Sequence, residues 1–466
     1  MPTQMQPAMA VGAAEIYDAA IDRLVRYHPD VIALTGTLLE QHPDHAMGHA
    51  LATYLSLMST EAVDLPAARE TAASLAAARA DDHDAAHLHA IDAWLAGDWL
   101  GAQRTLDALL VQWPDDLLAL LMGHQLDFFV GDAANLRDRV GRSLRAFDPS
   151  HPHYGFVRGM QAFGLEESGH YQQSEQAGLD AVERNPDDVW AIHAVVHTYE
   201  MQGRIDDGIR FLRSRDSDWG TGNLFTVHNW WHLALYLLEA GMPLEALAIY
   251  DSRVHNADSS GVALEMLDAS ALLWRLGLDD VDTGDRSSVL ADAWLPRVEG
   301  DSWYAFNDFH AVMALAGAGR LDEATELVAR LERFVGAGSA TPSASNHMMA
   351  NDVGLPASRS LLAFARGDHA AVVRELAPIR RHVQRFGGSH AQRDALQRTL
   401  LESAIRVGDL DLASALTSER LSLRDTSVYA GLRQARVLRA LGDDASAARA
   451  EAYAASNRAR FAAAAR

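Results

Sequence analysis

Two histidine pairs in the central part of the chain have the spacing of side chains that act together on a helix. His193 and His197 are four residues apart in AIHAVVHTYEMQG, and His228 and His232 repeat that spacing in HNWWHLALYLLE. Side chains four residues apart on a helix lie one above the other on the same face. Both segments are otherwise apolar, and burying an unpaired polar group costs about 1–3 kcal/mol. The pairs therefore indicate a specific role.

Histidine pairs of this kind support two types of chemistry. Imidazole nitrogens at i and i+4 have the spacing of metal ligands. If a divalent metal is present, the predicted ligands are His193, His197, His228 and His232. Histidine also titrates near neutrality and suits general acid–base catalysis. In that hypothesis the catalytic residues are His197, His232, Glu200, His193 and His310. A third hypothesis has these side chains forming hydrogen bonds between helices, with no ligand.

Polar residues of neighbouring segments are candidates for substrate binding. In GGSHAQRD, Ser389 is a predicted helix N-cap, and the free N–H groups of that end together with Arg393 suit an anionic ligand. NDVGLPASRS enters another helix at Pro356, the first-turn position that proline favours. The predicted substrate-binding residues are Asn229, His228, Asn307, Asp308, Asp352, Arg359, His390, Arg393 and Asp394.

The composition limits the cofactors and partners. The 466 residues include no cysteine, so disulfides and thiolate metal sites are excluded, and no organic-cofactor motif is found. A formal charge of −23 argues against nucleic acid and anionic membranes, because phosphate binding needs clustered Lys and Arg. No apolar run reaches the length of a membrane span and the N-terminus lacks a signal-peptide pattern, so we expect a cytoplasmic protein.

A repeated motif, glycine followed by polar residues and then alanine, predicts the architecture. It recurs at Gly97, Gly131, Gly169, Gly203, Gly241, Gly319, Gly367, Gly408 and Gly442. The first four steps are 34 or 38 residues, close to the period of about 34 of tetratricopeptide helix hairpins. The step from Gly241 to Gly319 is 78 residues, which indicates two units. Proline–aspartate pairs, as at Pro43, Pro114, Pro149 and Pro186, follow the second helices.

This pattern predicts an all-α solenoid of tetratricopeptide-like helix hairpins, wound as a right-handed superhelix and irregular in its C-terminal half. Residues 1–150 would form N-terminal repeats, 151–335 central repeats with histidine-rich first helices, and 357–466 C-terminal repeats. Residues 336–356, rich in Gly, Ser, Ala and Asn, are predicted to form a lid or a surface loop.

The glycines also give a common frame for the histidines. Counted back from each turn glycine at about 100° per residue, His193, His197, His228, His232 and His310 occupy an arc about 100° wide. The first helix of each hairpin lines the concave side of a tetratricopeptide superhelix. We therefore expect these five side chains to share one face of the concave channel.

Several segments, in order from about residue 150 to 400, resemble one family. They are YGFVRGMQAFGLEESGHY, AIHAVVHTYEMQGRIDDGI, HNWWHLALYLLEAG, MLDASALLWRL, FNDFHAVMA, NDVGLP and GGSHAQRD. Together they are similar to the tetratricopeptide repeat protein 38 family, and the alanine-rich composition suggests a bacterial member. The resemblance implies an all-helical, cytoplasmic repeat protein, and it implies no settled activity.

Two functions follow from these patterns. The leading hypothesis is an enzyme with a small-molecule site in its concave channel, acting as a hydrolase or lyase by histidine acid–base chemistry, with or without a metal. In that hypothesis His197 and His232 transfer protons and Arg393 binds an anionic group. The alternative is a non-catalytic scaffold that binds a peptide or protein partner in its groove. Homo-oligomer formation stays open in both.

Overall fold

The chain folds into successive antiparallel helix hairpins, which a computed structural model describes for residues 12–338 and 344–465. These two ranges contain no β-strand, and none of their helices is long and apolar enough to cross a membrane. The helices up to residue 254 are α1 (Ala13–Val25), α2 (Asp30–Gln41), α3 (Ala46–Met58), α4 (Leu65–Ala78), α5 (Asp82–Leu95), α6 (Trp99–Gln112), α7 (Leu117–Phe129), α8 (Ala133–Ser143), α9 (Tyr154–Glu167), α10 (Tyr171–Arg184), α11 (Val189–Met201), α12 (Ile205–Arg213), α13 (Asp216–Trp219), α14 (Thr226–Glu239) and α15 (Pro243–Ile249), which continues as a π-turn over Tyr250–Val254.

The second half continues the same arrangement. Its helices are α16 (Ala263–Leu278), α17 (Arg286–Trp294), α18 (Ala305–Gly317), α19 (Leu321–Gly336), α20 (Ser345–Met349), α21 (Leu355–Ala365), α22 (His369–Ile379), α23 (His390–Val407), α24 (Leu410–Leu423), α25 (Val428–Ala440) and α26 (Asp444–Ala464). The predicted all-α, tetratricopeptide-like fold class is confirmed.

The turn within each predicted hairpin depends on a left-handed residue. All nine glycines of the repeated motif have positive φ, between 69° and 83°. Side chains strain this conformation, whereas glycine adopts it freely, so the glycine reverses the chain directly after the first helix. The glycine pattern therefore predicted the hairpin turns correctly.

Three further hairpins lack the turn glycine, so the glycine pattern does not predict them. Their turn residues are Tyr27 (φ 53°), Thr60 (φ 61°) and Asp280 (φ 57°), between α1 and α2, α3 and α4, and α16 and α17. Asp280 lies inside the 78-residue step, which thus contains the two units that its length indicated. Side chains in the left-handed region cost of order 1–3 kcal/mol and persist only where the surrounding structure holds them.

Helix starts follow the predicted punctuation. Asp116 and Asp188, each two residues after a proline, accept backbone N–H bonds as the N-caps of α7 and α11. Ser389 caps α23 and forms a capping box with Gln392. Side-chain oxygens at this position satisfy the free N–H groups of the first turn.

The first helices of the hairpins form the interior of the molecule. In α7, α11, α16 and α18 nearly every residue is buried, whereas the second helices bury one stripe. Hydrogen bonds join inner elements that are far apart in sequence. Asn307 Nδ2 donates to the Thr60 carbonyl at 3.0 Å, and Trp274 Nε1 donates to Thr399 Oγ1 at 2.9 Å. Side chains therefore occupy part of the interior in which we predicted a concave channel.

Contacts also connect the segments that were predicted as separate groups of repeats. Helix α11 packs against α23, and α14 packs against α25, so the central and C-terminal repeats share an interior. The proposed division at residues 150, 335 and 357 stays a prediction about repeat groups.

The segment 336–356 differs from the prediction of a loop or lid. Residues 339–343 lie outside the described ranges. Ser345–Met349 form α20, and Ala350–Gly354 form a π-turn that leads directly into α21. Met349, Ala350 and Val353 are buried, so this part packs into the structure. Two features hide the helical periodicity in this sequence. The π-turn interrupts the 3.6-residue repeat, and the helix is buried on several sides.

Candidate metal centre

Two adjacent inner helices bring four histidines together. Asp188 starts α11, which presents His193 and His197 on one face. Helix α14 packs beside α11 and presents His228 and His232 with the same spacing. One ligand atom from each histidine lies within 4.8 Å of the others. The predicted clustering of these four histidines is therefore present in the structure.

The separations between ring nitrogens match those around a metal ion. His193 Nε2 lies 3.1 Å from His228 Nε2, and His232 Nε2 lies 3.2 Å from the same atom. A tetrahedral zinc ion with Zn–N bonds of about 2.0–2.1 Å holds its nitrogen ligands about 3.3 Å apart. Two of the six separations thus have nearly the edge length of such a tetrahedron, and all four ligand atoms lie within 4.8 Å of one another.

Carboxylates hydrogen bond to the other nitrogen of two rings, and a third carboxylate lies near His197 without a hydrogen bond. His228 Nδ1 lies 2.7 Å from Asp268 Oδ2, and His232 Nδ1 lies 3.2 Å from Glu200 Oε2. His197 Nδ1 lies 3.5 Å from Glu166 Oε2. Metal-bound histidines almost always donate their second ring N–H to a carboxylate, carbonyl or water, which fixes the tautomer and increases the basicity of the ligand.

The centre is dry. The side chain of His228 is 14% exposed, and the other three histidines are buried. Aromatic rings surround them, with ring centroids 5.0 Å apart for Phe163 and His193 and 4.8 Å apart for Phe225 and His228. Such a wall excludes water and strengthens electrostatic interactions inside.

Burial controls the protonation of the centre. It lowers the pKa of His193, His197 and His232 well below the ordinary value, and the neighbouring histidines lower it further. Burial also raises the pKa of Glu200 to about 7 and that of Glu166 well above its usual range. The three buried histidines are therefore neutral near pH 7, the form in which imidazole binds a metal.

Asp268 and Glu166 were missed by sequence reasoning. Asp268 is fully buried in MLDASALLW of α16, and Glu166 is fully buried at the end of α9. The available signal was a lone carboxylate within an apolar helix, which indicates burial with a partner. No spacing rule connects α9 or α16 with the histidines, because these contacts cross from one hairpin to the next.

Two predicted residues belong to the immediate surroundings of the centre. Glu200 contacts His232 as expected from its position one helical turn after His197. Asn229 donates from Nδ2 to the Val189 carbonyl at 3.4 Å and so joins α14 to the start of α11. Its position is that of a buried interhelical contact.

His310, Asn307 and Asp308 lie apart from the four histidines. His310 Nδ1 donates to the Phe306 carbonyl at 2.7 Å, within its own helix. Asn307 bonds to Thr60, and Asp308 accepts a bond from Ser302. The common glycine frame placed His310 on the same helix face, but α18 packs at a different level of the solenoid from α11 and α14. The expected set of five histidines is therefore a set of four.

His390, Arg393 and Asp394 meet at a cleft of about 560 Å³. The His390 backbone N–H donates to Glu167 Oε1 at 2.9 Å, and Arg393 donates to Glu167 Oε2 at 3.1 Å. Asp394 accepts bonds from Arg398 and Arg420. Burial alone would raise the pKa of Asp394, but these two arginines hold it well below its usual range. Arg393 and Asp394 thus already have protein partners.

Asp352 and Arg359 lie away from both the histidines and the cleft. Arg385 donates to Asp352 at 2.9 Å, and Arg359 donates to Glu332 at 2.9 Å. Arg359 lines a separate shallow groove between α19 and α21. These two predicted substrate-binding residues form surface ion pairs in the structure.

Comparison with known proteins adds little to this description. No protein-family model matches the chain. Similar solved structures include one of Naa15/Naa10 bound to HypK-THB (14% identity, 96% of this chain, TM-score 0.23), the tetratricopeptide domain of P58(IPK) (10%, 82%, 0.22) and the human IFIT1 dimer with PPP-AAAA (10%, 95%, 0.36). Our chain spans 63%, 96% and 94% of the respective matched chains. TM-scores this low do not support a structural relationship, so the fold assignment depends on the hairpin geometry itself.

Proposed function

We propose that this helical-repeat protein is a metalloprotein that binds one divalent transition-metal ion, preferentially zinc, through His193, His197, His228 and His232. The observation that carries the proposal is the convergence of four histidine nitrogens within 4.8 Å in a largely buried site, two of the separations being 3.1 and 3.2 Å. Imidazole binds several transition metals, and a closed tetrahedral set of four protein ligands is the arrangement of structural zinc sites.

The protonation of the rings supports a cation at their centre. If His228 and His232 donate from Nδ1 to Asp268 and Glu200, their Nε2 atoms both carry lone pairs. Those two lone pairs face each other at 3.2 Å. His193 Nε2 can donate one proton to only one of them. A metal ion accepts all of the lone pairs at once, which neutral hydrogen bonding cannot do.

Charge balance supports the same conclusion. Glu166, Glu200 and Asp268 surround the histidines and are buried. An isolated buried carboxylate is expensive, and a nearby cation offsets the cost. Burial raises the pKa of Glu166 and Glu200, and a dication at the centre would favour their ionised form, in which they can orient the histidines.

The geometry favours stable binding over catalysis at this centre. Structural zinc sites have four protein ligands, whereas catalytic sites keep a position for water. Here four imidazoles complete the tetrahedron inside a dry core. Hydrolase or lyase activity through His197 and His232 stays a prediction, and it would require one histidine to leave the ion.

The proposed centre also gives a physical reason for the family resemblance. The motif containing MLDASALLWRL supplies Asp268, YGFVRGMQAFGLEESGHY supplies Glu166 and Glu167, and GGSHAQRD supplies the groups that bind Glu167. We propose on this basis that the chain is a bacterial, cytoplasmic member of the tetratricopeptide repeat protein 38 family. Motifs that are dispersed in sequence would then occur together because they build one centre.

Metal analysis of tag-free protein tests the proposal. We expect the double variant His193→Ala/His228→Ala to contain one metal equivalent per chain less than wild type. His124→Ala is the matched control, since His124 is equally buried and contacts Phe163 and Trp190 beside the centre. In the wild type, bound Co²⁺ should show the intense visible absorption of tetrahedral coordination. Wild-type protein that binds neither zinc nor cobalt after expression or refolding with the metal would refute the centre.

A small-molecule ligand is a second candidate function, supported by the cleft that contains His390. Its wall contains both basic and acidic side chains, although Arg380 and Arg381 already pair with Glu419. Asp127, also in the wall, is buried in an ion pair with Arg139. A thermal-shift screen of zwitterionic metabolites would test this, with His390→Ala as the cleft variant. Shifts that are identical in wild type and variant would contradict binding there. A peptide or protein partner and self-association remain predictions.

A further inference from the structure

A second set of potential metal ligands lies in the N-terminal repeats. His83 and His87 are four residues apart on α5, and both face Asp116 of the next hairpin. His83 Nε2 lies 2.6 Å and His87 Nε2 lies 2.7 Å from the same oxygen, Asp116 Oδ2. None of these three residues is among the site residues predicted from the sequence.

The three side chains are held in place by neighbouring groups. Asp116 Oδ1 accepts the Ala119 backbone N–H at 2.7 Å as the N-cap of α7, so that the carboxylate directs Oδ2 at the histidines. His87 Nδ1 lies 3.2 Å from the Tyr54 hydroxyl. The His83 ring packs edge-on against Trp113 with centroids 5.0 Å apart. This is the arrangement in which neighbouring groups orient metal ligands through their distal atoms.

Unlike the four-histidine centre, this site opens to solvent on one side. The side chain of His83 is 26% exposed, while those of Asp116 and His87 are 7% and 0% exposed. Two histidines and a carboxylate supply three ligands, which leaves a fourth tetrahedral position for water. Zinc sites with an open position of this kind have three protein ligands.

We infer that His83, His87 and Asp116 form a second binding site for a divalent transition-metal ion, with water as the fourth ligand. In the metal-free state both histidines donate N–H bonds to Asp116. On metal binding each ring keeps one hydrogen, on Nδ1, and any second proton is released to water, so that the Nε2 lone pairs bind the ion. The ligand atoms then separate to the roughly 3.3 Å of a tetrahedral edge. The partly exposed His83 ring provides the movement.

This inference is independent of the four-histidine centre. It places an accessible metal in the N-terminal repeats, whereas the central ion is enclosed by its four histidines. The metal-assisted hydrolysis predicted from the sequence needs an open coordination position, and this second site is the one that has it.

Zinc titration of chelator-treated, full-length protein by calorimetry tests the inference. We expect two binding events per chain in wild type, the weaker of which disappears in His83→Gln and in Asp116→Asn. Asparagine is as good an N-cap as aspartate, so the Asp116→Asn variant keeps the start of α7. Asp98→Asn is the matched control, because Asp98 caps α6 in the same way through Gly101.

Each result has a distinct meaning. Loss of one event in both variants, with the other event intact, supports the second site. The full wild-type stoichiometry in both variants overturns it. If wild type binds a single ion that is lost in Asp116→Asn but kept in His193→Ala/His228→Ala, the second site stands and the central one fails. The opposite pattern leaves the central site and overturns this inference.

Discussion

His228 Nδ1 lies 2.7 Å from Asp268 Oδ2, although the two residues belong to neighbouring hairpins and are 40 positions apart. The carboxylate is fully buried, and Asp268 Oδ1 has no hydrogen-bond partner among the described residues. In the proposed metal centre, Asp268 would accept the Nδ1–H of His228 and leave the Nε2 lone pair for the ion. A buried aspartate in this position is explained by a ligand that it orients.

Replacing Asp268 should weaken metal binding without removing a ligand. In Asp268→Asn the negative charge that increases the basicity of His228 is lost, and such ligand-orienting partners contribute about 10–100-fold in affinity. We expect zinc affinity to fall by a factor in that range, measured by competition with a chromophoric chelator. Asp308→Asn is the control, because Asp308 is similarly buried but contacts Ser302. Equal affinity in Asp268→Asn and wild type would contradict an orienting role.

Removal of the metal should lower thermal stability. A ligand that binds only the folded state stabilises it by about 2.7 kcal/mol when its free concentration is 100 times Kd. We expect chelator-treated wild type to melt at a lower temperature and to recover when zinc is added back. In His228→Ala/His232→Ala, zinc should change the melting temperature only by binding at the second site. Adding Asp116→Asn to this double variant should abolish that remaining response. A triple variant that still responds to zinc would refute this assignment of ligands.

Stability should depend on pH through Asp188, the cap of α11. Burial raises its pKa to about 8, while one oxygen accepts the Ala191 N–H and the other has no partner among the described residues. Folding therefore favours the protonated form. The contribution is fully present below the unfolded pKa of about 3.9 and is lost as the pH rises towards 8.

Asp188→Asn should remove that dependence, because asparagine caps the helix without a charge. We expect the variant to gain stability relative to wild type as the pH rises from about 5 to about 8, measured by urea unfolding at each pH. Asp443→Asn is the control, since Asp443 caps α26 at the surface and hydrogen bonds from Ser446 lower its pKa. A constant difference between Asp188→Asn and wild type across this range would contradict a raised pKa.

The turn at Asp280 should be improved by glycine. Its φ of 57° is left-handed, and its exposed side chain makes only a 3.8 Å ion pair with Arg406. Asp280→Gly should stabilise the protein by roughly 0.5–1 kcal/mol, because the relieved strain exceeds the added flexibility of the unfolded chain. The reverse change, Gly442→Ala at φ 83°, should destabilise it by about 1 kcal/mol. Denaturant unfolding of both variants measures the two changes in the free energy of unfolding. Changes of the same sign would contradict the claim that the left-handed φ favours glycine at these turns.

The hairpin architecture could be predicted because each turn glycine carries its own local signal. The hairpins that turn at Tyr27 and Thr60 could not, since tertiary contacts rather than local preference hold those residues in the left-handed conformation. Asn307, for example, bonds both the carbonyl and the hydroxyl of Thr60. Asp280 is exposed, and aspartate adopts this conformation more readily than most side chains but is a weaker turn signal than glycine.

The site could likewise be predicted only where its signal lies within a single helix. The i, i+4 spacing within α11 and within α14 identified the four histidines and Glu200. Asp268, Glu166 and the Asp116 site depend on how one hairpin packs on the next, which no spacing within a helix encodes. The same reason applies to Arg359 and Asp352, which lie beside a predicted helix start. In the structure Arg359 pairs with Glu332, and Asp352 pairs with Arg385.

The most direct test is a crystal structure of metal-replete protein with anomalous diffraction data collected on both sides of the zinc absorption edge. We predict an anomalous peak between His193, His197, His228 and His232, with four nitrogen ligands at about 2.0–2.1 Å. An ordered centre without such a peak, in crystals grown from protein supplied with zinc, would contradict the central claim.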